Sequence, residues 1–131
     1  MKAVNGVKSR TVGWEALAFV ALLTLILGYA FGTGYLPVRF FDSGDWRSAD
    51  YWSGHRVQMI DHLLWSGQLN GLTKPQVIYL LGPETETSYF SEFDFVYSLG
   101  PERGFFSIDS EWLVINFDEN GVVSTYQIVR D

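Results

Sequence analysis

The two histidines, His55 and His62, are the residues best suited to metal binding or acid–base chemistry. They lie seven positions apart in a segment with helical periodicity, so they would be about 10 Å apart along the helix axis, too far for one metal ion. Asp61 next to His62, together with a serine, could suggest a catalytic triad. However, adjacent helix positions point in different directions, and the chain has no G-x-S-x-G motif. The histidines therefore predict neither a catalytic nor a metal site.

The second candidate for chemistry is an acidic cluster of Glu84, Glu86, Glu92 and Asp94. These carboxylates could bind calcium or act as a catalytic pair, but their spacing is not that of an EF-hand loop. A solvated strand face explains Glu92 and Asp94 if Phe93 and Phe95 point inward. We predict no enzyme, no metal and no cofactor, and keep an enzyme that uses this cluster as an alternative.

The charge distribution argues against nucleic acid as a partner. Residues 42–131 contain five basic and fourteen acidic residues, a formal charge of −9. Such a domain repels phosphate backbones. The chain also has no cysteine, which excludes disulfides and thiol nucleophiles.

An uncharged, mostly apolar run extends from Ala16 to Val38. It predicts a transmembrane helix at 14–35, because a bilayer core of ~30 Å needs about 20 apolar helical residues. Basic residues precede the run, so residues 1–13 are predicted in the cytoplasm of a bacterium and the C-terminal domain in the periplasm, as a single-pass inner-membrane protein. A cleavable signal peptide and a buried core helix are the alternatives.

The remaining chain predicts an α+β domain at 51–131, after a linker at 36–50. Apolar residues at helical spacing predict one helix over 51–66, and Thr73 to Gly82 predicts a second, short helix. Alternation over 89–99, a central strand at 112–117 and a hairpin turn before a last strand at 122–129 predict a three-stranded antiparallel sheet. We expect the two short helices to pack on this sheet.

Aromatic residues around the first helix are the strongest sign of a binding surface. We predict a partner surface formed by Tyr51, Trp52, Arg56 and Trp65, because aromatic and arginine side chains are the usual anchors of protein interfaces. Substitution of Trp52 or charge reversal at Arg56 is expected to weaken binding without unfolding the domain.

Several motifs resemble the SmpA/OmlA family, the BamE-like domain type. The segment LNGLTKPQVIYLLGPE (69–84), the strand ending YSLG (97–100) and the segment LVINFDENGVV (113–123) carry the resemblance. The structural positions are Gly71, Thr73, Gln76, Gly82, Pro83 and Gly121. The resemblance implies a BamE-like α+β fold and a protein-binding role in the bacterial envelope. The family's lipoproteins have a lipidated cysteine, and this chain has none.

The sequence thus predicts a membrane-anchored, extracytoplasmic scaffold or protein-binding module with an unknown envelope protein as partner, in envelope assembly or maintenance. The alternative that also acts by binding is a secreted or released inhibitor-like domain. The sequence does not determine the oligomeric state.

Overall fold

The computed structural model describes residues 13–32 and 39–131, except for the side chains of residues 31 and 32. Residues 1–12 of the predicted cytoplasmic segment lie outside the described residues. Positions 36–38 of the predicted linker also lie outside them. The first element is α1, Trp14–Gly32.

Helix α1 requires a correction to the membrane predictions. No helix in the described ranges is both long and apolar enough to cross a membrane. Glu15 lies in the first turn of α1, and the 17 residues that follow it rise about 26 Å, less than a bilayer core of ~30 Å. This finding contradicts the predicted transmembrane helix at 14–35, the membrane anchor and the single-pass inner-membrane location with a periplasmic domain.

The segment predicted as a linker, 36–50, contains a helix that belongs to the core. Helix α2, Ser43–Ser48, begins after Asp42, whose side chain accepts the Asp45 N–H at 2.9 Å. Trp46 on this helix is fully buried. A short 3-10 helix, Tyr51–Ser53, follows and is capped by the Asp50 carboxylate. The folded unit therefore includes residues upstream of 51.

Helices α3, His55–Trp65, and α4, Lys74–Leu81, correspond to the two predicted helices. Local chemistry fixes both ends of α4: the Gln76 side chain accepts the Thr73 N–H at 2.8 Å, and Gly82 has a φ of +81° before Pro83. The predicted structural positions Gly71 and Gly121 both have a φ of +73°, in turns where most side chains other than asparagine or aspartate would be strained.

The sheet is antiparallel, with the strand order β1–β2–β3. The strands are β1, Phe95–Pro101, β2, Ser110–Phe117, and β3, Val123–Arg130. The alternation over 89–94 does not form a strand. There the chain turns at Phe90, which has a φ of +58°, and the Asp94 carboxylate accepts the Phe117 N–H at 2.8 Å.

Apolar side chains cover both faces of the sheet. The helices pack on one face, where the buried core includes Trp46, Met59, Leu63, Tyr97 and Leu113. The other face has a smaller cluster of Val96, Trp112 and Val114, and it is covered in part by Phe90 and Phe93. The chain thus forms an α+β arrangement around a three-stranded antiparallel sheet.

Candidate functional site

An exposed aromatic surface lies where the 3-10 helix meets the loop between β1 and β2. We call it the aromatic face and define it by five residues: Tyr51, Trp52, Phe105, Phe106 and Ile108. The last four side chains are 81%, 73%, 76% and 87% exposed, respectively. Trp52 lines the same cleft as Gly104 and Ser107, the loop residues on either side of Phe105 and Phe106 in the chain, so the two parts of the face belong to the two sides of one cleft.

The 3-10 helix holds Tyr51 and Trp52 rigidly against the sheet. The Tyr51 hydroxyl forms a 2.8 Å hydrogen bond with the Ser110 hydroxyl at the start of β2, and the Tyr51 and Trp52 rings meet edge to face at 4.8 Å. The helix comes so close to β1 that a Cβ on Gly100 would lie 2.8 Å from the Tyr51 carbonyl oxygen. Only glycine permits this approach, so Gly100 determines the position of the aromatic pair.

The loop between β1 and β2 has a closed neck and an apolar tip. The Glu102 N–H donates to the Asp109 carbonyl at 2.8 Å across the neck. Within the tip, the Ile108 N–H donates to the Phe106 carbonyl at 3.1 Å, and the Phe105 and Phe106 rings meet edge to face at 4.8 Å. The Tyr29 ring of α1 stacks on Phe105 with centroids 6.5 Å apart. The tip therefore exposes apolar side chains from a defined backbone.

A buried charge network fixes the base of this loop. Arg103 Nε donates to both carboxylate oxygens of Glu111, at 3.2 and 3.0 Å, and Arg103 also donates to Asp61 of α3 at 2.7 Å. Arg130 donates to Glu111 at 3.2 Å and pairs with Glu102 at 2.8 Å. Glu111 is fully buried. The network joins the loop to α3, β2 and β3.

The protonation of Arg103 is secured by its partners. Burial alone lowers the pKa of the guanidinium group, but the hydrogen bond and charge of Glu111, together with Asp61, raise it above its usual value. Arg103 is therefore a permanent cation whose hydrogen bonds are satisfied inside the fold.

A cleft of about 280 Å³ separates the 3-10 helix from the loop. Trp52, Gly54 and Val57 line one side, and Pro101 and Ser107 belong to the other. The cleft is open to solvent and lies directly beside the exposed Trp52 ring. A side chain of a binding partner could enter it while the rest of the partner contacts the aromatic face.

The structure separates the four residues of the predicted partner surface. Tyr51 and Trp52 lie together, but Trp65 is at the other end of α3, a helix of 11 residues about 16 Å long. Arg56 points inward: it donates to the Trp46 carbonyl at 3.0 Å and to the Ser98 carbonyl at 2.9 Å, and it lies over the Trp46 ring. Burial lowers the pKa of Arg56. Arg56→Glu would therefore disrupt the core, contrary to the expected selective effect on binding.

Three of the four acidic candidates for chemistry come together at one cleft, which neither histidine lines. His62 Nδ1 accepts the Phe41 N–H at 3.0 Å, which gives this histidine a structural role. Glu84, Glu86 and Asp94 line a second open cleft of about 220 Å³. Across the described ranges, no group of three or more histidine, aspartate or glutamate side chains could hold a metal ion.

The most exposed part of the site, the tip of the loop between β1 and β2, was not among the predicted site residues. The sequence patterns assigned no role to Phe105, Phe106 and Ile108. A signal was present, because two adjacent phenylalanines after Gly104 do not follow the alternation of a strand with one buried face. The Arg103–Glu111 pair had no such signal, since its partners come from separate elements.

Comparison with known proteins provides no further assignment of the fold or the site. No family model, no curated protein and no solved structure matches the chain. The resemblance to the SmpA/OmlA family therefore stays a prediction based on the motifs quoted above.

Proposed function

We propose that the protein is a protein-binding module that docks its partner on the aromatic face. The observation that carries the proposal is four large apolar side chains, each more than 70% exposed: Trp52 on the 3-10 helix, and Phe105, Phe106 and Ile108 on a loop with a fixed base. Large apolar side chains exposed together in one region of a protein often mark an interaction site.

The size of the patch fits a protein interface. With 150–250 Å² for each large side chain, these four residues expose about 600 Å² of mostly apolar surface. A standard interface buries ~800 Å² on each partner, so the patch could supply most of one side. It is also at the upper limit of the largest patch that an ordinary monomer shows.

Preorganisation makes this surface suited to binding. Hydrogen bonds across the neck and the Arg103–Glu111–Asp61 network hold the loop before any partner arrives. A loop that is already ordered loses less conformational entropy on binding, which leaves more of the contact energy for affinity. Trp52 and Phe106 are the expected hot spots, because large aromatic side chains dominate interface energies.

The test is crosslinking in cells that produce the full-length chain with an N-terminal tag, followed by identification of the captured protein and measurement of its Kd. The resemblance to the SmpA/OmlA family makes envelope proteins the first partners to examine. We expect Trp52→Ala to weaken the identified complex about 30-fold, the equivalent of ~2 kcal/mol for a hot spot.

Trp65→Ala is the matched control, since Trp65 is 85% exposed but lies at the opposite end of α3. It should leave the Kd unchanged. Both variants should unfold within about 0.5 kcal/mol of the wild type because they change exposed side chains. Equal binding by wild type and Trp52→Ala, or loss of binding only in Trp65→Ala, would overturn the proposal.

A further inference from the structure

We infer that the partner presents a basic segment to the aromatic face, an inference that rests on the proposed function. Exposed carboxylates adjoin the face in the chain: Asp50 directly precedes Tyr51, and Asp109 directly follows Ile108. The Asp131 carboxylate accepts the Ser110 N–H at 2.8 Å, next to the hydroxyl that binds Tyr51. Asp50, Asp109 and Asp131, which we call the rim, thus place negative charge beside the apolar anchors.

The cations near the face are not free to receive an acidic partner. Arg103 is 13% exposed, and its side chain is bound to Glu111 and Asp61. Arg130 bonds Glu102 and Glu111. A carboxylate that bound Arg103 would have to displace Glu111 or Asp61 and leave a buried charge without its partner, which is strongly unfavourable. Arg130 is half exposed, but its charge is already balanced by Glu102 and Glu111.

The local charge balance favours a cation. Six carboxylates (Asp50, Asp61, Glu102, Asp109, Glu111 and Asp131) and two guanidinium groups (Arg103 and Arg130) belong to the face and its supporting network, a formal charge of −4. The whole segment 42–131, at −9, has the same sign. A potential of one sign steers oppositely charged partners toward the docking surface and raises their association rate.

Aromatic rings provide a second reason to expect lysine or arginine. The exposed ring of Trp52 is the best type of surface for a cation–π contact, and it lies beside a cleft of about 280 Å³. A long basic side chain can place its methylene groups in the cleft and its charge near the carboxylate rim. A segment that alternates basic and apolar residues would satisfy both parts of the face.

The test uses three fluorescent 12-residue peptides, which alternate leucine with arginine, glutamine or glutamate. Each is titrated with the full-length chain, and binding is followed by anisotropy at about 50 mM and about 300 mM salt, where the Debye length changes more than two-fold. We expect the arginine peptide to bind at least 10-fold more tightly than the glutamine peptide at low salt, and this ratio to shrink at high salt. The glutamate peptide should bind most weakly.

Charge variants decide whether the rim is responsible. Asp50→Asn together with Asp109→Asn should weaken binding of the arginine peptide about 3- to 10-fold at low salt and leave the glutamine peptide unchanged. Asparagine keeps the capping role of position 50, so the 3-10 helix should persist. The control is Glu92→Gln with Glu119→Gln, which removes the same charge from exposed positions outside the face and should have little effect.

The outcomes separate this inference from the proposed function. The inference is wrong if Trp52→Ala weakens all three peptides but the three peptides bind to the wild type with equal affinity. It is also wrong if both double variants weaken binding of the arginine peptide equally. In either case the face binds proteins without selecting basic ones. If Trp52→Ala changes no peptide affinity, the aromatic face itself is not a docking surface. The inference stands if the arginine peptide is preferred and only the rim variant reduces that preference.

Discussion

Glu111→Gln is the substitution that should reveal most about this fold. The Glu111 carboxylate is fully buried and accepts hydrogen bonds from Arg103 Nε, from the Arg103 N–H at 3.3 Å and from Arg130 at 3.2 Å. Glutamine has the same shape but no charge, and its amide group would bring N–H donors toward two guanidinium groups that also donate. The variant removes the anion around which both arginines are arranged.

The expected destabilisation is about 3 kcal/mol. A hydrogen bond to a charged group contributes ~1.5–3 kcal/mol. The Arg–Glu contacts belong at the upper end because both groups are charged, and an Arg–Gln contact belongs at the lower end because only the guanidinium is, so each of the two contacts loses about 1 kcal/mol. A further loss of about 1 kcal/mol comes from Arg103, which keeps only Asp61 as a counter-charge. The sum agrees with the 3–5 kcal/mol that the loss of one partner from a buried ion pair usually costs.

Urea unfolding of the full-length chain, followed by tryptophan fluorescence, measures this difference directly. Glu119→Gln is the control, since Glu119 is exposed in the turn between β2 and β3, and it should change the free energy of unfolding by less than about 0.5 kcal/mol. A change below about 1 kcal/mol for Glu111→Gln would refute the view that this network fixes the loop.

Two further substitutions test the packing around β1. Gly100→Ala should cost at least about 2 kcal/mol by thermal or urea unfolding, because Gly100 has a φ of +132° and its Cβ would meet the Tyr51 carbonyl at 2.8 Å. Gly121→Asn, at a φ of +73° with open space around it, should cost only a few tenths of a kcal/mol, and an equally mild effect of Gly100→Ala would contradict the close approach. Burial raises the pKa of Tyr97, whose hydroxyl donates to the Gly82 carbonyl, above its usual value of 10.0. Above about pH 10 the unfolded chain therefore ionises this phenol first, and stability falls by ~1.4 kcal/mol per pH unit from this group. Tyr97→Phe should remove that part of the alkaline slope, and identical slopes in both proteins would refute the assignment.

Local chemistry explains the parts of the fold that the sequence predicts well. The Thr73–Gln76 pair and Gly82 delimit α4 at the expected positions, because capping and turn geometry depend on residues a few positions apart. Period-two alternation failed over 89–94, where the Asp94 carboxylate binds the Phe117 backbone from 23 positions away. Here a tertiary contact outweighs the local pattern.

The apolar run shows the limit of hydropathy as a signal. Its composition predicts a helix, and α1 is a helix from Trp14 to Gly32. The conclusion that it crosses a membrane is contradicted, because no helix among the described residues reaches the necessary length and apolar character. Local propensity determines that the segment is helical, whereas its length and apolar character determine whether such a helix can cross a membrane.

The sequence by itself determined the helix caps, the turns, the α+β order of elements and the acidic character of the chain, since these follow from residue type and short spacing. Only the tertiary structure decided which side chains form a surface. It turned Arg56 inward to the Ser98 carbonyl, 42 positions away, and it separated Trp65 from Trp52. It also brought the loop that carries Phe105 and Phe106 to the cleft lined by Trp52, and it fixed the base of that loop through Arg103 and Glu111. Such groupings depend on contacts between distant elements, which no local pattern encodes.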